Sequence, residues 1–207
     1  MLSVGKPLYE FDKLDQCLSK YGVHFEFDDE KQIICSSDIK IDDTVIILNG
    51  VISLRREENI LVGIAQAPFI MGLADGVMKN DMQYKLMTES NCSGYHLPAS
   101  QTIKIIEQCQ LWREAFCWLA WQNKILELRD LQLIGHNSYA QIRATLMTMM
   151  EWDETLRLRI GVMNYIHQRT RISRSVVAEV LAALRKGGYI EMNKGKLVSV
   201  NHLPSEY

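Results

Sequence analysis

Structural cysteine chemistry is missing from this chain. Its five cysteines, at positions 17, 35, 92, 109 and 117, are odd in number, irregularly spaced and contain no CxxC pair, so neither a disulfide framework nor a zinc site is suggested. Long hydrophobic runs are missing too. No stretch reaches the ~20 apolar residues a membrane span needs, and the amino end, MLSVGKPLYEFDKLDQ, lacks the apolar core of a signal peptide, so a cytoplasmic location is expected. A strong charge imbalance is absent: a formal net charge of −2 and a pI near 6.2 argue against a wholly basic nucleic-acid coat. No Ser/His/Asp grouping and no phosphate-cradling glycine loop occur, and GLADG at 72–76 reads more simply as a turn. Only His24 and His96 fall in the strand-rich region, whereas a metal-binding β sandwich needs clustered histidines with a carboxylate. The expectation is therefore no catalytic, cofactor-binding or metal-binding residues, and no enzyme. Neither repeats nor low-complexity linkers occur, and 207 residues suit two modest domains.

What is present divides near Pro98. Before it, short apolar runs alternate with polar turns. The run 44–48 (TVIIL), the pair Asn49-Gly50 and the run 51–54 form a strong hairpin signal. Further strands are expected at 24–27, 33–35, 39–41, 60–65, 69–71, 84–88 and 93–97, a pattern that points to a jelly-roll or similar sandwich.

After Pro98 the composition favours helix. No proline or glycine occurs between Ser100 and Leu133. A short helix through Glu107 is expected to precede a long one over 111–133, whose three tryptophans and a phenylalanine are too much apolar surface for a solvated helix. One side can pack on the β domain and the other on a symmetry mate, giving a parallel two-helix seam and a two-fold dimer. Leu111, Trp118, Trp121, Ile125 and Leu128 are the seam candidates. Gly135-His136-Asn137-Ser138 breaks the helix, and Ser138 can cap the next one at 139–150.

The carboxyl end carries the most specific signal, RTRISRSVVAEVLAALRKGGY at 169–189. Ser173 is a good N-cap, and Val176, Val177, Val180, Leu181 and Leu184 form one apolar stripe behind it. Arg169, Thr170, Arg171, Ser173, Arg174 and Ser175 stand at the start of that helix and are residue types that hold phosphates and reach base edges. Gly187-Gly188 ends the helix. Two short strands at 189–192 and 197–200 then flank the turn Asn193-Lys194-Gly195-Lys196, so Lys194 and Lys196 sit at the tip of a hairpin that can lie beside a phosphate backbone. Upstream, 156–168 is expected as the first helix of the pair, with Leu156, Ile160, Met163 and Ile166 facing inward. Local charge agrees: residues 155–200 hold nine basic and two acidic side chains, whereas the part before position 155 is near −8. Double-stranded DNA is the expected partner. A helical hairpin that merely packs is the bland alternative for this segment, and for the chain the main competing reading is a protein-binding module that has lost DNA contact, against which the intact basic head argues.

The order of β sandwich, long helix, hinge and winged helix-turn-helix resembles the family of the cyclic AMP receptor protein and the fumarate and nitrate reduction regulator. The resemblance covers nearly the whole chain and is clearest at TVIILNGVISL, APFIMGL, LIGHNSYAQIRATLMTMM and ISRSVVAEVLAALRKGGYI. It implies an α+β protein with a degenerate cyclic-nucleotide-binding-like β domain at 1–98, connecting and dimerisation helices at 99–135 and a winged helix-turn-helix DNA-binding domain at 136–207. A homodimeric transcription regulator follows, with RNA polymerase as a further partner. Within the family the chain is similar to an enterobacterial branch tied to oxidative stress.

Departures from the family pattern matter as much. The Gly-Glu pair that grips ribose in nucleotide-binding members falls here on Met71-Gly72, and the Arg-Ser pair that grips the cyclic phosphate falls near Met82-Gln83. Leu126-Glu127 stand where the long helix would offer hydroxyls to the purine, and a carboxylate facing an anionic ligand is unfavourable. Cyclic AMP control is therefore not expected; a different small effector is left open. Cys17 with Cys35 does not make the cysteine pattern of cluster-binding relatives, and His24, His96, His136, His167 and His202 are too scattered for a haem ligand. Cys109 and Cys117 are expected to be inertly buried in helical apolar context, with Cys17 and Cys35 no better placed for thiol sensing. In the cyclic AMP receptor protein the matching helix begins Ser-Arg-Glu-Thr-Val-Gly-Arg. Arg174 keeps the first base reader and can pair with a guanine edge, while Ser175 and Glu179 replace the others, so a different half-site is implied.

Overall fold

A computed structural model describes residues 5–28, 32–34, 39, 42–56, 60–78 and 84–205. The chain divides into two compact units, Met1–Leu126 and Glu127–Tyr207. The division falls inside the long helix.

The first unit opens on a helix that the sequence pattern did not bring out, α1 (Leu8–Leu18), whose Phe11, Leu14 and Leu18 are buried. Strands β1 (Val23–Phe27), β7 (Cys92–Pro98), β2 (Asp43–Asn49) and β5 (Phe69–Met71) make one sheet in that spatial order, and β4 (Leu61–Gln66), β3 (Val51–Arg55) and β6 (Lys85–Thr88) make a second. Every pairing is antiparallel. Ile46, Ile52, Ile70, Leu86 and Tyr95, drawn from both sheets, share one core with α1. Its polar members are bonded, as burial requires: Tyr95 donates to Asp15 at 2.7 Å, and His96 Nδ1 lies 2.8 Å from Asp43 Oδ2. The strands expected at 24–27, 44–48, 51–54, 60–65, 69–71, 84–88 and 93–97 are found to within a residue or two, whereas at 33–35 only Ile33 pairs, as an isolated bridge to Met87, and Ile34 and Ile39 lie in bends. Cys35, Ile41, Met82 and Gln83 lie outside the described residues.

One expectation fails instructively. The runs either side of Asn49-Gly50 are not a hairpin: β2 pairs with β7 and β5, while β3 pairs with β4 and β6. The pair instead carries the chain from one sheet to the other. Gly50 has φ +100, and a Cβ there would stand 2.3 Å from the Asn91 carbonyl oxygen, so this crossing needs glycine as a hairpin turn would.

Helices α2 (Ala99–Gln108) and α3 (Trp112–Leu133) follow, then α4 (Ser138–Met150), α5 (Glu154–Arg159), α6 (Val162–Thr170) and α7 (Arg174–Lys186), with β8 (Ile190–Asn193) and β9 (Lys196–Val200) closing the chain. Asn137 rather than Ser138 caps α4, its side chain accepting from the Ala140 amide at 2.8 Å. Among the described residues no helix is long and apolar enough to cross a membrane.

Three of the five seam candidates on or before α3 are turned toward their own unit. Trp118 is fully buried, donates its indole N–H to the Ile70 carbonyl at 3.2 Å and packs on Phe11, Phe69 and Trp121. Trp121 rests edge-on against Phe69, and Leu111, which precedes the helix, packs on the same core. Ile125 remains exposed and Leu128 half-buried, with Trp112, Phe116, Leu126 and Leu131 as further exposed apolar side chains on α3.

Candidate nucleic-acid interface

The second unit builds its reading head on two short helices and a hairpin. The expected single helix over 156–168 is broken. Asp153 caps α5 by accepting from the Leu156 amide at 2.8 Å, Ile160 is extended, and α6 restarts after Gly161. The restart rotates the inward face: Val162, Tyr165 and Ile166 are buried, and Met163, expected inside, is exposed.

Between α6 and α7 the turn is tight. Arg171 takes the left-handed conformation (φ 64) and its amide donates to the His167 carbonyl at 2.9 Å. A non-glycine residue costs roughly 1 kcal/mol or more there, and local bonds hold it. Thr170 Oγ1 donates to the Ile166 carbonyl at 2.8 Å and accepts from the Ile172 amide, while His167 Nδ1 donates to the Ile172 carbonyl at 2.8 Å. The Thr170 hydroxyl is thereby committed to the turn.

Ser173 caps α7 as expected, accepting from the Val176 amide and lying 3.1 Å from the Ser175 hydroxyl. Val177, Leu181 and Leu184 are buried; Val176, expected in the stripe, is exposed. Arg171, Ser173, Arg174 and Ser175 are all exposed around the helix start. At the other end the Gly188 amide bonds to Arg185 and the Tyr189 amide to Leu184, with Gly188 at φ 70, which together make a Schellman closure. The hairpin turns through Lys194 (φ 46) and Gly195 (φ 78), the backbone of a type I′ turn. Its tip is anchored because the Val162 amide donates to the Gly195 carbonyl at 3.0 Å.

Two expected phosphate contacts do not survive this geometry. Arg169 is only 7% exposed; its guanidinium donates to Tyr165 Oη at 3.2 Å and to Gln132 Oε1 at 2.9 Å, and lies over the Tyr165 ring. Burial raises the Tyr165 pKa, with Arg169 pulling the other way, so the phenol stays protonated and accepts from the cation. Lys196 is half-buried and donates its ammonium to the Arg159 carbonyl, leaving Lys194 as the exposed lysine of the tip. Arg169 opens a basic run in sequence, yet α6 turns it inward. Its position three residues after the buried Ile166 was the available signal. Arg169→Ala is accordingly expected to destabilise the C-terminal unit by about 1.5–3 kcal/mol, the worth of hydrogen bonds to a charged group. Urea unfolding checks this, and DNA affinity of the folded protein should change little.

These elements define a winged helix-turn-helix joined through a long helix to a strand-rich unit. The family described as "Winged helix-turn-helix DNA binding" matches residues 138–205. Among solved structures, the global regulator CLP of Xanthomonas campestris, described as c-di-GMP responsive, superposes with a TM-score of 0.74 at 11% identity, over 94% of this chain and 99% of that one. A transcriptional regulator of the CRP family from Thermus thermophilus does so with a TM-score of 0.62 at 15% identity, over 86% and 92%. The fold is that of the CRP/FNR regulators. By sequence the chain is 77% identical to the protein named Inhibitor of hydrogen peroxide resistance of Escherichia coli strain K12 and 70% identical to its namesake in Salmonella typhimurium, over the full length of each. It belongs to that family.

Proposed function

We propose that this protein is a homodimeric, sequence-specific DNA-binding transcription regulator that works without cyclic AMP and controls resistance to hydrogen peroxide. The observation that carries the reading is the row Arg171, Ser173, Arg174 and Ser175, exposed at the amino end of a helix whose other face is buried, beside a wing tipped by Lys194. That end of a helix presents side chains to base edges in the major groove, and the wing presents a cation to phosphate. The name borne by the relatives supports the link to peroxide. Binding of labelled duplexes at several salt concentrations tests the reading: affinity should fall linearly on a log–log plot as counterions are released. An affinity absent at low salt would count against it.

Dimerisation is supported by Ile125, Leu126 and Leu131, each at least 42% exposed on α3 in the single chain. Two-fold operators require two reading heads. Sedimentation at micromolar concentration should give twice the chain mass of 23.8 kDa, and Ile125→Glu should shift the protein toward monomer. A monomer across that range in the wild type would remove the seam and the symmetric half-site together.

Independence from cyclic AMP is supported at the end of β5. Met71 offers a thioether where the resemblance implies a glycine, and Gly72 (φ +79) lies so close to the Asp43 carbonyl that a Cβ would stand 2.5 Å from it, leaving no room for the ribose-gripping glutamate. Titration calorimetry with millimolar cyclic AMP should show no saturable heat; saturation would mean the pairing of these residues with the family pattern is wrong.

A further inference from the structure

Glu179 is the only acidic side chain on α7, and it is exposed near the middle of that helix. It stands two residues from both Val177 and Leu181, which α7 buries. At about 100° per residue, that spacing turns Glu179 away from the core. Ser175 one turn earlier, and Ala178 and Ala182 beside it, are exposed as well. Its carboxylate is therefore the longest polar group on the outward face between Arg174 and Arg185. Among the described residues Glu179 has no hydrogen-bond or ion-pair partner, whereas Glu191, the other acid between positions 155 and 200, lies 3.5 Å from the Ser199 hydroxyl.

The surroundings of Glu179 are cationic: Arg171 and Arg174 precede it and Arg185 and Lys186 follow, all exposed. A carboxylate at the centre of a face that meets a polyanion is repelled by phosphate, so it gains only by meeting a hydrogen-bond donor. On the floor of the major groove those donors are the amino groups of cytosine and adenine. Adenine carries the N7 acceptor beside its amino group, and a carboxylate has no proton to offer N7. Cytosine presents its N4 donor without such a neighbour on its own edge, while guanine and thymine present acceptors. We propose that Glu179 is a specificity-determining residue of this interface, its carboxylate accepting a hydrogen bond from the N4 amino group of one cytosine in each half-site. Five residues separate it from Arg174, about 7.5 Å along the helix axis, so the two side chains read different base pairs. The assignment rests on the DNA-binding reading and adds a named base to it.

Selection of bound duplexes from a library with randomised centres tests it, using full-length wild type, Glu179→Ala and Glu179→Gln, followed by affinities on the selected site with each base at the position that responds. The wild type should prefer cytosine there by roughly five- to tenfold, and Glu179→Ala should cut that preference to within about twofold while the rest of the motif stays. Glu179→Gln should move the preference to adenine, because an amide both accepts from N6 and donates to N7. Both substitutions leave Val177 and Leu181 in place, so α7 keeps its seat on the core. An unchanged motif in both variants, with Glu179→Ala binding all sequences more tightly, would mean that the carboxylate only repels phosphate; it would overturn the assignment and leave the DNA-binding reading standing. Preference for a base other than cytosine at the responding position of the wild type would overturn it too. A wild type that enriches no motif would overturn the sequence-specific reading itself, and the assignment with it.

Discussion

Trp118→Ala lowers the unfolding free energy of the N-terminal unit by about 3–5 kcal/mol, the range for truncating a buried aromatic side chain. The indole is fully buried among Phe11, Phe69 and Trp121, and its N–H is bonded to the Ile70 carbonyl, so truncation opens a cavity and leaves that acceptor with the Gln122 amide alone. Domain stabilities of ~5–15 kcal/mol make this a large share of the total. Trp118→Phe should cost less, since most of the apolar volume stays and mainly the hydrogen bond goes. Urea unfolding followed by circular dichroism measures both. A loss under about 1 kcal/mol for the alanine variant is what surface substitutions give, and it would return Trp118 to the dimer seam that its sequence context suggests.

Arg174→Ala should weaken binding to the best DNA site by about 1–3 kcal/mol and relax sequence preference at one position per half-site. Arg174 lies one residue inside the Ser173 cap, exposed, where a side chain reaches base edges. Lys194→Ala should instead weaken binding to all sequences alike and lower the slope of log affinity against log salt by roughly one for each phosphate no longer engaged. Lys196→Ala should alter that slope less, because its ammonium already has the Arg159 carbonyl. Equal loss on specific and random DNA for Arg174→Ala, with altered base preference for Lys194→Ala, would reverse the two roles.

Features that depend on a few neighbouring residues are legible in the sequence. The Ser173 cap, the Gly187-Gly188 closure and the lysine-glycine wing turn each rest on local backbone chemistry, and each is found at its expected position. Features decided by distant partners are not legible. Asn49-Gly50 looks the same whether the chain folds back on itself or crosses to another sheet, since the strands that select between these, β4 to β7, lie elsewhere. A helical tryptophan carries no label for which surface it meets, so only the placement of Ile70 and Phe69 beside Trp118 assigns it inward. Arg169 shares the composition of a phosphate-binding run, and only the turn of α6 toward Tyr165 and Gln132 separates it from Arg171 and Arg174. The unforeseen helix α1 has its signal in Phe11, Leu14 and Leu18, which recur at helical spacing in a segment notable mainly for what it lacks.

The most direct measurement is affinity selection of genomic DNA fragments by the purified full-length protein, followed by sequencing of what is retained. The account predicts enrichment of fragments sharing a two-fold-symmetric motif, with half-sites separated by about one helical turn or a multiple of it, and loss of that enrichment in Arg174→Ala. Retention of fragments in proportion to their abundance, with no shared motif and no difference between wild type and Arg174→Ala, would contradict it.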